Sequence, residues 1–440
     1  MSTAVRPTND PLFHHWMPFT ANRQFQEQPR LIARAEGVYY YNTRGEKLLD
    51  GSSGLYCIPL GHGRPEIREA VAKQMEELDY APPFQYGVPT AFRLATEVAQ
   101  MLPEGINRVF FGGSGSEAAD TALKMALAYH RARGEAQRVR FIGRERGYHG
   151  VNLGGMSVGG MVANRKAFGT GLPGVSHMRH THIKENYFQM GEGEHGADLA
   201  DYLERFVNLH GADTIAACIV EPIAGSTGIL VPPKGYLKRL RELCTKHGIL
   251  LIFDEVITGF GRTGEAFASR TFDVTPDIIT MAKALTNGSI PMAAVAVKDE
   301  IQQTIFDSAP ENSIELFHGY TYSAHPAACA AALATLKIFR EEDTFGRVKA
   351  LAPAFLEQLG SFKGMTDVVD TRGFGLLGAV ELAPKGKPGE RGFKILCQAF
   401  EKGLVLRSAG DNLVLAPPFA ATPDQISEMI DIMRKLIKES

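Results

Sequence analysis

The chain has no surplus of either charge. Its 440 residues carry 47 Lys plus Arg against 49 Asp plus Glu, a formal net charge of −2 with histidine neutral. Nucleic-acid binders show a basic excess, so the balance argues against that class. Long apolar runs are also missing. A membrane span takes about 20 consecutive apolar residues. The longest candidate, Pro326 to Phe339, is shorter, alanine-rich and interrupted by Lys337. The opening MSTAVRPTND is polar with no apolar core, so no signal peptide is expected. Cysteine is scarce: residues 57, 218, 244, 329 and 397 are widely spaced and form no CxxC. Such an odd, scattered set reads as reduced thiols in a cytoplasmic protein. With 22% charged and 44% hydrophobic residues, wholesale disorder is excluded. Glycine is in excess: 46 residues, against an average share of about 7%. They follow no collagen period, so they predict tight turns or a backbone that closely approaches a ligand.

The length suggests about two or three domains, or one large domain with a satellite. A helix is expected from Arg64, with Pro65 in its first turn and Ile67, Val71, Met75 and Leu78 at helical spacing. From about residue 105, short apolar runs alternate with helical stretches: RVFF (108–111), VRFI (139–142), AACIV (216–220), ILLIF (249–253), DIIT (277–280) and AAVAV (293–297). Continuous rather than alternating hydrophobicity marks strands buried on both faces. Between two of them Tyr236, Leu237, Leu240, Leu243 and Cys244 share a helix face that Gly248 can end. Strand and helix in series predict an α/β domain with a mainly parallel sheet. After about residue 322, helical segments (326–342, 347–359, 391–402, 424–438) surround the short strands LVLR (404–407) and NLVLAPP (412–418), with an exposed loop at 384–392. This pattern predicts a smaller α+β domain.

The segment ILLIFDEVITGFGRTG ends a hydrophobic strand in Asp254 and Glu255. Ligands of open α/β sheets bind outside the carboxyl ends of strands, so Asp254 should point at a site. Acids in such places also cap helices or hold Mg²⁺. Strand DIIT leads to Lys283, set among Met281, Ala282, Ala284 and Leu285. A lone lysine is usually a solvated surface charge, but one desolvated in a pocket loses its proton more easily and becomes a nucleophilic amine. Amine plus strand-end aspartate is what pyridoxal phosphate (PLP) chemistry needs: a Schiff-base lysine and an acid facing the pyridine nitrogen. RVFFGGSGSEAADTALKMALAYH supplies a phosphate cradle, with Gly115 and Ser116 opening a helix whose free N–H groups favour an anion. A dinucleotide loop is the weaker reading, because GGSGSEAA lacks the full GxGxxG. Tyr148, in a glycine-flanked turn, and Val256, beyond Asp254, are candidates to cover the two ring faces. Thr321 is a candidate phosphate donor in HGYTYSAHP, and Arg407 a candidate carboxylate clamp. Two clusters are weak. His177, His180 and His182 share no regular face that would hold a metal. Asp50, Ser114 and His149 have the residue types of a triad, but no GxSxG elbow is present.

Taken in order, the GGSGSE turn, GYHG, VEPIAG, DEVITGFGRTG, PDIITMAKALTNG, HGYTYSAHP and the late arginine resemble the class III (ω-) aminotransferases, a fold-type-I PLP family, over nearly the whole chain. HHWMPFTANRQF, APPFQYG and HGYTYSAHPAACAA are most similar to the β-alanine (ω-amino acid):pyruvate aminotransferases. The resemblance implies PLP covalently held by Lys283, with Asp254 on the pyridine nitrogen and Val256 and Tyr148 about the ring. It places Gly115, Ser116, Glu221 and Thr321 (the last from a neighbouring subunit) among the cofactor-binding residues. Phe19, Tyr56, Phe84, Tyr148, Ala224 and Arg407 fall in the substrate pocket. It further implies a homodimer or homotetramer with shared active sites, and three parts: a segment 1–60 serving the small domain and pocket, a large PLP-binding domain 61–322 and a small domain 323–440. The implied reaction is a ping-pong transfer from an ω-amino acid or primary amine to pyruvate, giving alanine and an aldehyde or ketone. Other class III activities are the nearest alternatives: an aminomutase, or a diamine or 4-aminobutyrate aminotransferase with a different acceptor. An NAD-dependent oxidoreductase is more remote. Relatives usually carry Trp at Tyr56 and often Asn at Gly113.

Overall fold

The computed structural model describes residues 11–12, 14–169 and 171–440. A seven-stranded sheet lies at its centre: β1 (Ile106–Gly112), β2 (Arg140–Arg144), β3 (Val175–Met178), β4 (Ile215–Val220), β5 (Leu250–Asp254), β6 (Ile278–Met281) and β7 (Ala293–Lys298). The order is β1-β7-β6-β5-β4-β2-β3. Strand β7 runs antiparallel to both its neighbours, while the pairings from β6 through to β3 are parallel. Every residue of β4, β5 and β6 is buried, as the unbroken apolar runs predict for strands covered on both faces. Helix Gly115–Ala132 packs across β6 and β7. Helix Tyr236–His247 buries Tyr236, Leu237, Leu240, Leu243 and Cys244 and ends at Gly248 with φ +63°. The architecture is that of an α/β fold with a mixed, mainly parallel sheet.

Two smaller sheets join distant parts of the chain. Strands Ile32–Glu36, Tyr39–Asn42 and Lys47–Asp50 are completed by Leu404–Val405, which pairs parallel to Lys47–Asp50. Val368–Phe374, Leu377–Leu382, Asn412–Leu415 and Arg407–Ala409 form the other. The expected strand LVLR is therefore split. Leu404 and Val405 pair with Leu49 and Asp50, whereas Arg407 begins a hairpin against Val414. The hairpin Val368–Leu382 and strand β3 were not expected. VSHM in β3 has no apolar run, because this edge strand is only half-buried. Helix Pro65–Glu77 forms as expected, but Met75 is exposed and Gln74 is buried in its place. Among the described residues no helix is long and apolar enough to cross a membrane, and all five cysteines are unpaired.

Gly143 in β2 shows how closely the layers meet: a Cβ there would fall on the carbonyl oxygen of Val158. Relieving a backbone clash in a packed core costs about 1–3 kcal/mol. Gly143→Ala should therefore lower the thermal midpoint or abolish folding, and an unchanged melting curve would contradict this packing.

Candidate active site

The carboxyl ends of the parallel strands converge on one edge of the sheet. Beyond β1 come Gly113–Ser116, beyond β2 Tyr148 and His149, after β4 Glu221, at the end of β5 Asp254, and after β6 Lys283. All of them line a single cavity of about 350 Å³, together with Val256, Ile257 and Cys57. Five separate strand-to-loop junctions thus contribute to the site, as the carboxyl-edge rule for open α/β sheets requires.

Asp254 is buried and fully engaged. Its Oδ2 lies 2.8 Å from His149 Nδ1, and its Oδ1 accepts from Thr280 Oγ1 at 3.0 Å and from the Val256 amide at 3.1 Å. Glu255, the next residue, turns the opposite way, as alternation along a strand demands. Its carboxyl accepts from the amides of Ala268 and Ser269 at 2.5 and 2.9 Å and from Thr258 Oγ1 at 3.0 Å. Of the two strand-end acids, Glu255 therefore serves a helix start and Asp254 faces the cavity. His149 is the missed member of this group. It reads from sequence as part of a loose triad, yet here it partners Asp254, while Asp50 pairs with His62 at 3.0 Å.

Lys283 adopts φ +47°, a left-handed conformation uncommon for a residue with a side chain. The strain aims its amine into the cavity. Burial pulls its pKa below the ordinary 10.5, with Arg407 acting in the same direction and Cys57, Asp254 and Glu221 opposing. Helix Gly115–Ala132 opens beside it, capped by Ser114, whose Oγ accepts from the Glu117 amide at 3.2 Å. A Cβ at Gly115 would come within 3.0 Å of Val256, and one at Gly150 within 2.5 Å of Ser116 Oγ. Gly150, with φ +100°, needs glycine for its loop to close over the helix start, and at Gly115 a Cβ would press tightly on Val256. Gly113, where relatives often carry asparagine, turns its amide to Glu117 Oε2 at 2.6 Å. Glu221 fastens two loops, accepting from the Tyr148 amide at 2.9 Å and the Gly225 amide at 3.0 Å. Burial raises both the Glu221 carboxyl and the Tyr148 phenol above their ordinary pKa values.

The remaining expected residues divide into two groups. Tyr56 is buried with its ring centroid 6.0 Å from the Lys283 ammonium, and Arg407 acts on Lys283, Tyr148 and Tyr56 through space. Ala224 is buried nearby but pairs with Leu230 rather than lining the cavity. By contrast Phe19 is 77% exposed, Phe84 is 52% exposed and Thr321 is exposed, and none of them lines the cavity. Tyr80 donates to the Thr321 carbonyl at 3.0 Å. The three histidines do not converge. His177 faces the Gly159 carbonyl at 2.9 Å, and His182 faces Asp370 at 3.0 Å. Beside His182, Arg372 already supplies the cation, donating to Asp370 and Glu381 at 2.7 Å each.

A family model described as Aminotransferase class-III matches residues 20–437. The chain belongs to the class III aminotransferases. It is 52% identical over 424 residues, 96% of both chains, to an omega-aminotransferase of Caulobacter vibrioides. It is 49% identical over 420 residues, 95% of this chain and 94% of the other, to a beta-alanine--pyruvate aminotransferase of Pseudomonas aeruginosa. Among solved structures it resembles the omega transaminase from Pseudomonas jessenii in complex with PMP: TM-score 0.92 and 33% identity, covering 97% and 96% of the two chains. This aminotransferase is PLP-dependent, as class III enzymes are. The residues present fit the cofactor. An amine, a carboxylate, a helix start and a flanking tyrosine share the cavity, and the cradle at Gly115 and Gly150 is one that a Cβ would fill.

The depressed lysine predicts a pH effect on the cofactor-stripped protein. Above the ordinary value of 10.5 the amine is neutral whether folded or unfolded. Below it the unfolded chain takes up the proton first, so stability falls with falling pH until the folded pKa is passed. Stripped Lys283→Met should therefore melt higher than stripped wild type at pH 7, with the gap closing towards pH 10.5. Equal melting at both ends would refute the lowered pKa.

Proposed function

We propose that this aminotransferase moves an amino group from an ω-amino acid of the β-alanine type, or from a primary amine, to pyruvate, yielding alanine and an aldehyde or ketone. The observation that carries this reading is Arg407. Its Nη2 donates to the Ser226 carbonyl at 3.1 Å, its Nε is buried without a hydrogen-bond partner, and its charge acts on Lys283 through space. A guanidinium with a spare donor, its charge reaching the reactive amine, suits an incoming carboxylate. The similarity to beta-alanine--pyruvate and omega-amino acid--pyruvate aminotransferases supports the same substrates.

Bound PLP supplies a carbonyl that accepts an amino group and a ring that stabilises charge on the neighbouring carbon. Lys283 would be the covalent anchor, and its free amine the base for the proton on the substrate carbon that bears nitrogen. Asp254, held by Thr280, the Val256 amide and His149, would face the pyridine nitrogen and retain its proton. Tyr148 and Val256 would hold the ring and Gly115 and Ser116 the phosphate, with Glu221 fixing the Tyr148 loop. Arg407 binds the acceptor's carboxylate. The two half-reactions alternate, so the kinetics are ping-pong.

The same proposal takes the active site to be shared in a homodimer or homotetramer. Phe19, Phe84 and Thr321 are exposed away from the cavity, which suits residues that serve a partner's site. It divides the chain at about 60 and 322. The pairing of Lys47–Asp50 with Leu404–Val405 supports assigning the first segment to the small domain. A cytoplasmic location accords with five unpaired cysteines.

Two variants test this reading. Lys283→Ala should lose both turnover and the borohydride-trappable lysine adduct, and full pyruvate-dependent activity would overturn the assignment. Arg407→Ala should weaken use of pyruvate by about tenfold or more, as expected for a lost charge-assisted pair, while sparing an apolar amine donor. Equal losses on both substrates would remove the clamp role.

A further inference from the structure

Tyr56 is presented by an unusual piece of backbone. Ser53, Gly54, Leu55 and Tyr56 have φ of +46°, +53°, +62° and +68°, four successive residues in the left-handed region. Residues with side chains avoid this conformation unless their surroundings impose it. Here Asp50 Oδ1 accepts from the amides of Ser52 and Gly54 at 3.0 and 3.1 Å, and Ser53 Oγ donates to the Ala416 carbonyl at 2.7 Å. The turn places the Tyr56 ring, 2% exposed, against the site, and its hydroxyl donates to the Gly225 carbonyl at 3.3 Å.

Gly225 is therefore held on both sides of its α-carbon. Its amide donates to Glu221 Oε2 at 3.0 Å, and its carbonyl accepts from Tyr56. A Cβ here would lie 2.6 Å from the tip of the Ile257 side chain, which would have to move aside. The Gly225 carbonyl and the Ser226 amide share one planar peptide. The Ser226 carbonyl belongs to the next peptide, two backbone torsions away, so anchoring the Gly225–Ser226 plane restrains where that carbonyl can lie. This is the carbonyl to which Arg407 Nη2 donates at 3.1 Å.

We infer that Tyr56 is a positioning residue for Arg407: its hydroxyl anchors the Gly225 carbonyl, restrains the adjoining Ser226 carbonyl on which the guanidinium rests, and so sets the balance between carboxylate-bearing and uncharged substrates. The inference rests on the reading that Arg407 binds the acceptor's carboxylate. An apolar amine is best served with the charge kept on Ser226. A carboxylate must draw Arg407 from that rest, so each increment of stability in the rest is subtracted from carboxylate affinity.

The test measures the Kd of acetate, a carboxylate that cannot accept an amino group, by calorimetry on the holoenzyme, together with KM for pyruvate and for 1-phenylethylamine. Losing a neutral hydrogen bond at the rest should tighten acetate by about three- to tenfold in Tyr56→Phe. It should also lower the ratio of pyruvate KM to amine KM. In an Arg407→Ala background the same substitution should change neither quantity. Unchanged or weaker acetate binding in Tyr56→Phe overturns the inference, as does an equal change with and without Arg407, which would mean that Tyr56 acts through pocket shape. An Arg407→Ala enzyme that still binds acetate as wild type does overturns the clamp reading itself, and the rest falls with it.

Discussion

Asp254 ends β5 with both carboxyl oxygens occupied, Oδ2 by His149 and Oδ1 by Thr280 and the Val256 amide. A carboxylate removed from water is costly unless its lone pairs are satisfied. The neighbouring elements are arranged to meet that demand. Thr280 comes from β6, paired directly beside β5, and His149 comes from the loop after β2. Val256 contributes its amide to Asp254 and its side chain to the wall that a Cβ at residue 115 would meet at 3.0 Å. Fixing one acid thus registers three loops around it. His149 lines the cavity beside Asp254, its Nε2 buried without a hydrogen-bond partner.

The same lack of water acts in opposite directions on the titrating groups. It pushes the Lys283 amine down towards its neutral, nucleophilic form and the Glu221 carboxyl up. Glu221 nevertheless has backbone amides on both oxygens, so its burial secures loop geometry. The roles follow from what each acid faces. Asp254 and Glu221 line the cavity, and Glu255, turned away from it, holds the start of Ala268–Thr271.

The central sheet was legible because buried parallel strands are written as unbroken apolar runs, and chemistry at their carboxyl ends follows from topology. Asp254, Lys283, Gly115 and Ser116 were found in that way. The small sheets were less legible. Leu404–Val405 is too short to carry a pattern, and its partner lies over 350 residues earlier, so nothing local announces the pairing. His149 has no role in the sequence once a triad is set aside for want of a GxSxG elbow, because its partner Asp254 is 105 residues away and meets it only in the fold. Phe19 and Phe84 rest on the family resemblance alone and Thr321 on its hydroxyl in HGYTYSAHP, and their exposure on this chain means that no intrachain packing explains them. The left-handed turn at Ser53–Tyr56 left almost no trace, since only Gly54 among its four residues favours that backbone.

The segment after Glu221 links the two scales of the molecule. Gly225 is held from the large sheet through Glu221, yet its carbonyl and those of Ser226 and Gly228 receive Tyr56, Arg407 and Arg372. Tyr56 follows the strand Lys47–Asp50, and Arg407 and Arg372 belong to the strands of the other small sheet. Side chains from both small sheets therefore bear on one short loop at the edge of the cofactor cavity. The residues proposed to hold the cofactor lie at the edge of the large sheet, and those that meet this loop come from elsewhere. Substitutions in the small sheets can alter substrate preference while Asp254 and Lys283 stay where β5 and β6 put them. A tyrosine in place of the family's usual tryptophan is a substitution of this kind, since it adds a hydroxyl where that loop can receive it.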